Sequence, residues 1–228
     1  MEFQNEIGII QRKMAASVAG SSRRLEILYV LDIKAGQQVL DIGCGGGHLL
    51  EELAKAVGPN GKAIGLDTSQ DQLKQANEKC ALYDNASTLL GFANKINLEK
   101  NSCDAVASAQ TFEYIEDVDE SIEEVARILK PSSIFANISI LWDYYKFYGA
   151  EDNLNNLIQD TFKAHCFHQM LPTTLSGRLE KFGFKHLKHK PLPMFITTTD
   201  DNSPAKYAAE VMAQFALQQG VSKDKVNE

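Results

Sequence analysis

The sequence is poor in the features that would send it to a membrane, a nucleic acid or an oxidising compartment. No apolar run approaches the roughly 20 residues of a membrane span. The opening residues, MEFQNEIGIIQRKMAAS, lack the basic-then-apolar order of a secretory signal. Cationic excess is missing too: 23 Lys and Arg stand against 30 Asp and Glu, a net charge of -7. That balance disfavours a phosphate-backbone partner, which needs clustered cations. Cys44, Cys80, Cys103 and Cys166 fall singly, with no C-x-x-C pair, so neither a zinc site nor a disulfide framework is indicated. Internal repeats, low-complexity tracts and convincing linkers are also lacking. These absences lead us to expect a cytosolic, soluble protein with free thiols. Its 228 residues suffice for one domain with a full core, 1–228, and not comfortably for two.

What is present is a regular beat. From Gln37 onward, apolar β-rich runs alternate with amphipathic helical runs, the pattern of a parallel sheet covered on both faces. Strands are expected at 37–42, 62–67, 87–92, 103–109 and 132–141. Between the first two, Leu49, Leu50, Leu53, Ala54 and Val57 recur at helical spacing until Gly58-Pro59. Ser69 with Gln72 makes a capping box for the next helix, and Asp117 or Asp119 can cap one carrying Ile122, Val125 and Leu129. N-terminal helices occupy 1–33, with Ile7, Ile10, Met14 and Val18 on one face, a lid or a packing helix. The beat loosens at 142–172, where an aromatic and histidine-rich insertion falls in the position of a helical cap over the sheet. A helix at 173–182, a strand-like run at 184–199 and a helix ending at Gly220 follow. Ser222 then caps a helix that has barely begun, which reads as a C-terminal truncation.

One stretch stands apart: VLDIGCGGGHLLEEL, residues 39–53, with four glycines in five positions. Glycine costs roughly 0.5–1 kcal/mol against alanine within an element, so a cluster signals unusual dihedrals or a close approach. A strand, a glycine turn and a helix aim free N–H groups and the helix dipole at an anionic group. A dinucleotide fingerprint would need G-x-G-x-x-G, but His48 stands where the third glycine belongs. The pattern here is D-x-G-x-G-x-G from Asp41 to Gly47, and Asp67 closes a second strand 20 residues on. Acid and turn together fit an amino acid moiety, and Asp67 fits a ribose diol. The competing role for Asp41 is to bond its own turn's amides.

These residues, with AIGLDTS and NSCDAVASAQTFEYIEDVDESIEEVARILKP, resemble the class I S-adenosyl-L-methionine (SAM)-dependent methyltransferases. The branch they look like is the small-molecule one that includes ubiquinone and menaquinone biosynthesis enzymes. The resemblance covers about Arg23 to Asn137. It implies a Rossmann-like, doubly wound α/β fold with seven mostly parallel strands. The last, antiparallel strand is either MFITTT (194–199) or missing. It implies that Asp41, Gly43 and Gly45 hold the methionine part with the Cys44 backbone, that Asp67 binds the ribose, and that Thr68 lies beside the adenine. Where the family often has Gly-Asp-Ala, this chain has Gly91-Phe92-Ala93. Phe92 then stacks on the adenine or merely packs, and Ala93 offers its backbone. Gln110 matches the place where cofactor meets acceptor.

Methyl transfer from a sulfonium is an in-line displacement that depends chiefly on alignment in a dry pocket. His165 and His168, three apart, are the candidate general bases. Phe112, Tyr114, Trp142 and Tyr145 are candidate acceptor contacts, and Tyr144, Phe147 and Tyr148 extend the aromatic run. The expected activity is methylation of a small organic acceptor, aromatic or apolar, with a protein acceptor left open. The competing classes are an NAD(P)-dependent oxidoreductase and a non-catalytic binding protein on the same fold. No metal is expected.

Overall fold

In the computed structural model, residues 5–145, 151–193 and 203–227 are described. Two helices lead in: α1 (Asn5–Ala16) and α2 (Val18–Leu31). They are separated by Ser17, whose hydroxyl caps α2 by accepting from the Gly20 N–H. Helical periodicity therefore breaks at Ser17, and Val18, expected on the buried face of α1, is 75% exposed. Then come β1 (Gln38–Ile42), α3 (His48–Val57), β2 (Lys62–Asp67), α4 (Gln70–Lys79), β3 (Ala86–Leu90) and β4 (Cys103–Ala109). They are followed by α5 (Val118–Ile128) and β5 (Leu129–Ile138). The strands form one parallel sheet in the order β3-β2-β1-β4-β5. The order reverses beside β1, so β1 and β4 flank the crevice in which open α/β sheets bind ligands.

The two faces of the sheet are both apolar, as parallel strands require. Val39, Ala105 and Ala107 pack with Ile27 of α2 and Leu50 and Leu53 of α3. Leu40, Ile42, Ile64 and Val106 pack with Ile122 and Val125 of α5. Leu171 and Leu175 of α7 (Leu171–Lys181) join this second layer. Ser69 caps α4 as its spacing predicts, accepting from the Gln72 N–H. Pro131 and Ser132 fall in an irregular part of β5, where the register against β4 shifts between Cys103 and Ala105. This sits on a sheet edge, where a residue without an N–H is tolerated.

The described residues hold five strands rather than seven. Residues 184–193 of the strand-like run form no strand. They carry Pro191 and Pro193 within a lysine- and histidine-rich stretch, and proline removes a ladder donor. MFITTT, 194–199, lies outside the described residues, as do Phe147 and Tyr148. Beyond β5, α6 (Asp152–Phe162) and α8 (Pro204–Gln218) pack together with α1 around Phe162, Val211, Met212 and Phe215. A short α9 (Lys223–Asn227) follows, with Ser222 Oγ accepting from the Lys225 N–H. Among the described residues, no helix is long and apolar enough to cross a membrane.

Candidate cofactor and acceptor site

The site forms where β1, β2 and β4 end. After Ile42 the chain bends through Gly43, Gly45 and Gly47, with φ of 73°, 51° and 81°. A Cβ on Gly43 would lie 2.0 Å from Thr111 Oγ1, and one on Gly47 would lie 2.7 Å from Ala76 Cα. Both dihedral and contact thus demand glycine there. Gly45 and Gly46 face helix α1: Gln11 Nε2 and Arg12 Cδ would lie 3.3 Å and 2.8 Å from their Cβ atoms. Helix α1 therefore lies across the turn.

The expected nest of free amides is not what forms at 43–45. Gly43 and Cys44 both donate to the Leu66 carbonyl, at 2.7 and 3.0 Å, and Gly47 donates to Cys44 O. Gly45 donates to Asp67 Oδ2 at 2.9 Å. Close pairing of the turn with β2 uses these groups, and the Cys44 backbone is left to contribute only its carbonyl. What stays open to an anion is the start of α3, whose N-cap Gly47 supplies no side-chain cap, so first-turn N–H groups lack helical partners.

The two acids differ sharply. Asp67 accepts from the amides of Gly45 and Ser69, each at 2.9 Å, and from that of Thr68. Burial raises its pKa while these bonds oppose the rise. Asp41 is 1% exposed, its Oδ2 has no hydrogen-bond partner, and it bonds no amide of its own turn. Burial, with Asp67 adding to it, pushes Asp41 up to about 8, although the Arg24 charge pulls the other way. A carboxyl so placed is completed by a cation.

Three residues that sequence reasoning passed over frame this pair. Arg24 donates to Glu52 Oε1 at 2.8 Å, to Ser21 Oγ at 3.1 Å and to the Ala15 carbonyl, tying the α1–α2 joint to α3. Arg12 reaches Asp71 and Gln72 of α4 at 3.1 and 3.3 Å. Gln11 Oε1 is buried over the turn without a partner. In the sequence each reads as an ordinary polar position of an N-terminal helix.

The adenine end is sparse. Phe92 is 67% exposed, so it does not pack in the core, while Ala93 is buried beside Ile96. Gln110 holds φ at 55° and donates its N–H to Ile138 O at 2.6 Å. A non-glycine residue in this region is strained, and such strain gathers at functional positions.

On the acceptor side the structure separates the candidates. Phe112 is fully buried, its ring 5.3 Å from Phe135 in the core layer beneath the sheet, so it is a packing residue. Tyr114 packs edge-on to His165 at 5.6 Å. Trp142 and Tyr145 line a cavity of about 190 Å³ whose wall is half apolar, with Phe162 and Met212, and half polar, with Asp143 and Lys163 among its charged groups. His165 is 1% exposed and stacks 3.7 Å from Phe162, with Nδ1 bonded to the Phe162 carbonyl. Burial pushes it down to about 4. His168 turns Nε2 to the Glu116 carbonyl at 3.0 Å. The chain leaves helical geometry at Cys166, so the two histidines do not share a face. Glu113, another residue the sequence did not single out, is fully buried. Its carboxyl accepts from Ser139 Oγ at 2.8 Å and the Ile140 N–H at 3.4 Å, and burial pushes it up to about 7.

A doubly wound parallel sheet with acids at the tips of two adjacent strands is the layout of the open α/β class, in which ligands sit outside the carboxyl ends of the strands. The chain belongs to the methyltransferase-domain family, which matches residues 33–199. It is 32% identical over 111 residues to the demethylmenaquinone methyltransferase of Staphylococcus aureus, a match covering 49% of this chain and 46% of that protein. It is 31% identical over 131 residues to an uncharacterised 37.1 kDa protein of a Streptomyces fradiae transposon, covering 58% and 38%. The chain thus spans less than half the length of these two relatives. Among solved structures, a SAM-dependent methyltransferase from Aquifex aeolicus matches with TM-score 0.57 and 26% identity, over 71% of this chain and 79% of that one. A Bacillus halodurans protein shares the fold, with TM-score 0.64 and 16% identity over 90% of this chain and 88% of that one.

Proposed function

We propose that this chain binds S-adenosyl-L-methionine at the carboxyl ends of β1 and β2 and transfers its methyl group to a small organic acceptor. The observation that carries the reading is Asp41: a fully buried carboxyl with an unpartnered oxygen, beside a glycine turn that tolerates no side chain at Gly43 or Gly47. Asp41 would receive the ammonium group, with Gln11 Oε1 as second acceptor. The open start of α3 would face the carboxylate. Asp67, held rigid by three amides, keeps lone pairs for the ribose hydroxyls. Bound there, the cofactor would supply an electrophilic methyl on a sulfonium. The chain's own part is to align acceptor and methyl and to exclude water, through α1 across the turn and the aromatic cap. Neither His165 nor His168 is placed as a base in this reading, since the first is a stacked core residue and the second bonds a loop carbonyl.

Calorimetry with S-adenosylhomocysteine tests it. The natural chain should bind, and Asp67→Ala should weaken binding about tenfold or more, since hydrogen bonds to charged groups contribute about 1.5–3 kcal/mol. Unchanged affinity would remove Asp67 from the site, and binding of a nicotinamide cofactor instead would replace the reading altogether.

A further inference from the structure

The order of the strands decides where each part of a bound cofactor lies. With the ammonium group at Asp41 of β1 and the ribose at Asp67 of β2, the base falls over the next strand of the sheet, β3. Neighbouring strands are about 4.8 Å apart, and the end of β3 is tied to Asp67 itself. Leu90 is the register partner of Asp67, and the Gly91 N–H donates to the Asp67 carbonyl at 3.0 Å. The residues that leave β3, Gly91-Phe92-Ala93, are therefore the ones the base meets.

Those three residues offer one aromatic ring and no polar side chain. Ala93 is buried, while Phe92 stands 67% exposed at the strand tip. The polar groups that follow are committed elsewhere. Asn94 donates to Glu120 Oε2 of α5 at 3.0 Å. Glu124 accepts from the Ile96 N–H at 2.8 Å and from the Arg127 guanidinium at 2.6 and 2.8 Å. The Asp67 carboxyl already serves three amides. An aromatic ring recognises a purine by its face, and stacking is tolerant of what the purine carries on its edge, because every base presents a π-face. Reading the 6-amino group requires an acceptor at that edge, and a charged acceptor discriminates by about tenfold or more.

We propose that Phe92 sets the base specificity of this site: it holds the purine by its face and leaves the 6-position unread. Cofactors and products alkylated on the purine 6-amino nitrogen are then accepted as readily as the unsubstituted ones. This rests on the S-adenosyl-L-methionine reading and names what that site does and does not distinguish. Phe92 is a binding residue here, with no part in the methyl transfer itself.

The test is calorimetry of the full chain with two probes, S-adenosylhomocysteine and its 6-dimethylamino analogue, which keeps the ring nitrogens, ribose and amino acid but has no N–H at the 6-position. The natural chain should bind the two within about threefold of each other, since no acceptor there is lost. Phe92→Ala should weaken both equally, by about tenfold, as the stacking face is removed. Phe92→Asp places a carboxylate at the same point and should bind S-adenosylhomocysteine about tenfold tighter than the analogue. Because the Phe92 side chain is largely exposed, both variants should keep the natural thermal transition. A tenfold preference for S-adenosylhomocysteine in the natural chain would overturn the proposal. So would unchanged affinities in Phe92→Ala, or a Phe92→Asp variant that still does not separate the pair. Tight but discriminating binding by the natural chain sinks this inference alone, whereas no binding of S-adenosylhomocysteine sinks the cofactor reading and the inference with it.

Discussion

The glycine turn and the cap are built on opposite plans. At the turn, the backbone carries the design: three positive-φ glycines, amides paired to β2, and two acids at strand tips. In the cap, side chains carry it: Phe162 stacks on His165, and Trp142 and Phe215 meet that pair edge-on, with ring separations of 3.7 to 6.4 Å. The lesson is that a site made by backbone constraint announces itself in residue types, whereas one made by packing reads like any core.

The comparison can be broken first by mutation in each half. Gly47→Ala meets Ala76 Cα at 2.7 Å with φ of 81°, and strain plus overpacking together cost about 3 kcal/mol. Phe162→Ala empties the centre of the cap cluster and costs a similar amount, about 3–5 kcal/mol. Denaturant melts should show comparable losses. S-adenosylhomocysteine titrations of the folded variants should separate them, weakening with Gly47→Ala and unchanged with Phe162→Ala.

A pH profile sharpens it next. Burial pushes Asp41 up to about 8 and Glu113 up to about 7, well above the roughly 4 of unfolded carboxyls. The folded chain thus holds protons that the unfolded chain releases, so this stabilising contribution is complete below about pH 4 and is lost as pH rises through 7 to 8. His48 and His165, both pushed down to about 4 by burial, act the opposite way, but only below their unfolded value of about 6.5. Between pH 6.5 and 8.5 the ligand-free chain should therefore lose about 2 kcal/mol, several degrees in Tm. Asp41→Asn should flatten most of that slope. The smallest effect belongs to His168→Ala, which removes one bond to a loop carbonyl. Its stability should stay within about 1 kcal/mol and its turnover within twofold, where a general base would cost about a hundredfold or more.

Much of the cofactor half was legible. Strands β2 and β4 fall on the residues their apolar runs mark, and Ser69 caps α4 as spaced. Gln11, Arg12 and Arg24 were not, because what distinguishes them is where α1 and α2 lie over the sheet, and Glu113 was not, because its burial comes from its contacts with Ser139 and Ile140 beyond β5; these are tertiary facts that no local period encodes. Phe112 misled for a related reason. The strand end it follows was read correctly, yet the turn at Phe112–Tyr114 points its ring into the core rather than the crevice. Val18 and the run at 184–193 failed where local punctuation, a serine cap and two prolines, overrode hydrophobic spacing.

The central claim is that Asp41 waits, protonated, for a cationic amino group. Calorimetry of S-adenosylhomocysteine binding at pH 7, in two buffers of different ionisation enthalpy, tests this most directly. With Asp41 near 8 in the free protein, ammonium binding must expel its proton. The heats should then report release of about one proton in the natural chain and none in Asp41→Asn, which should also bind more weakly. Buffer-independent heats in the natural chain, with equal affinity in the variant, would contradict the account.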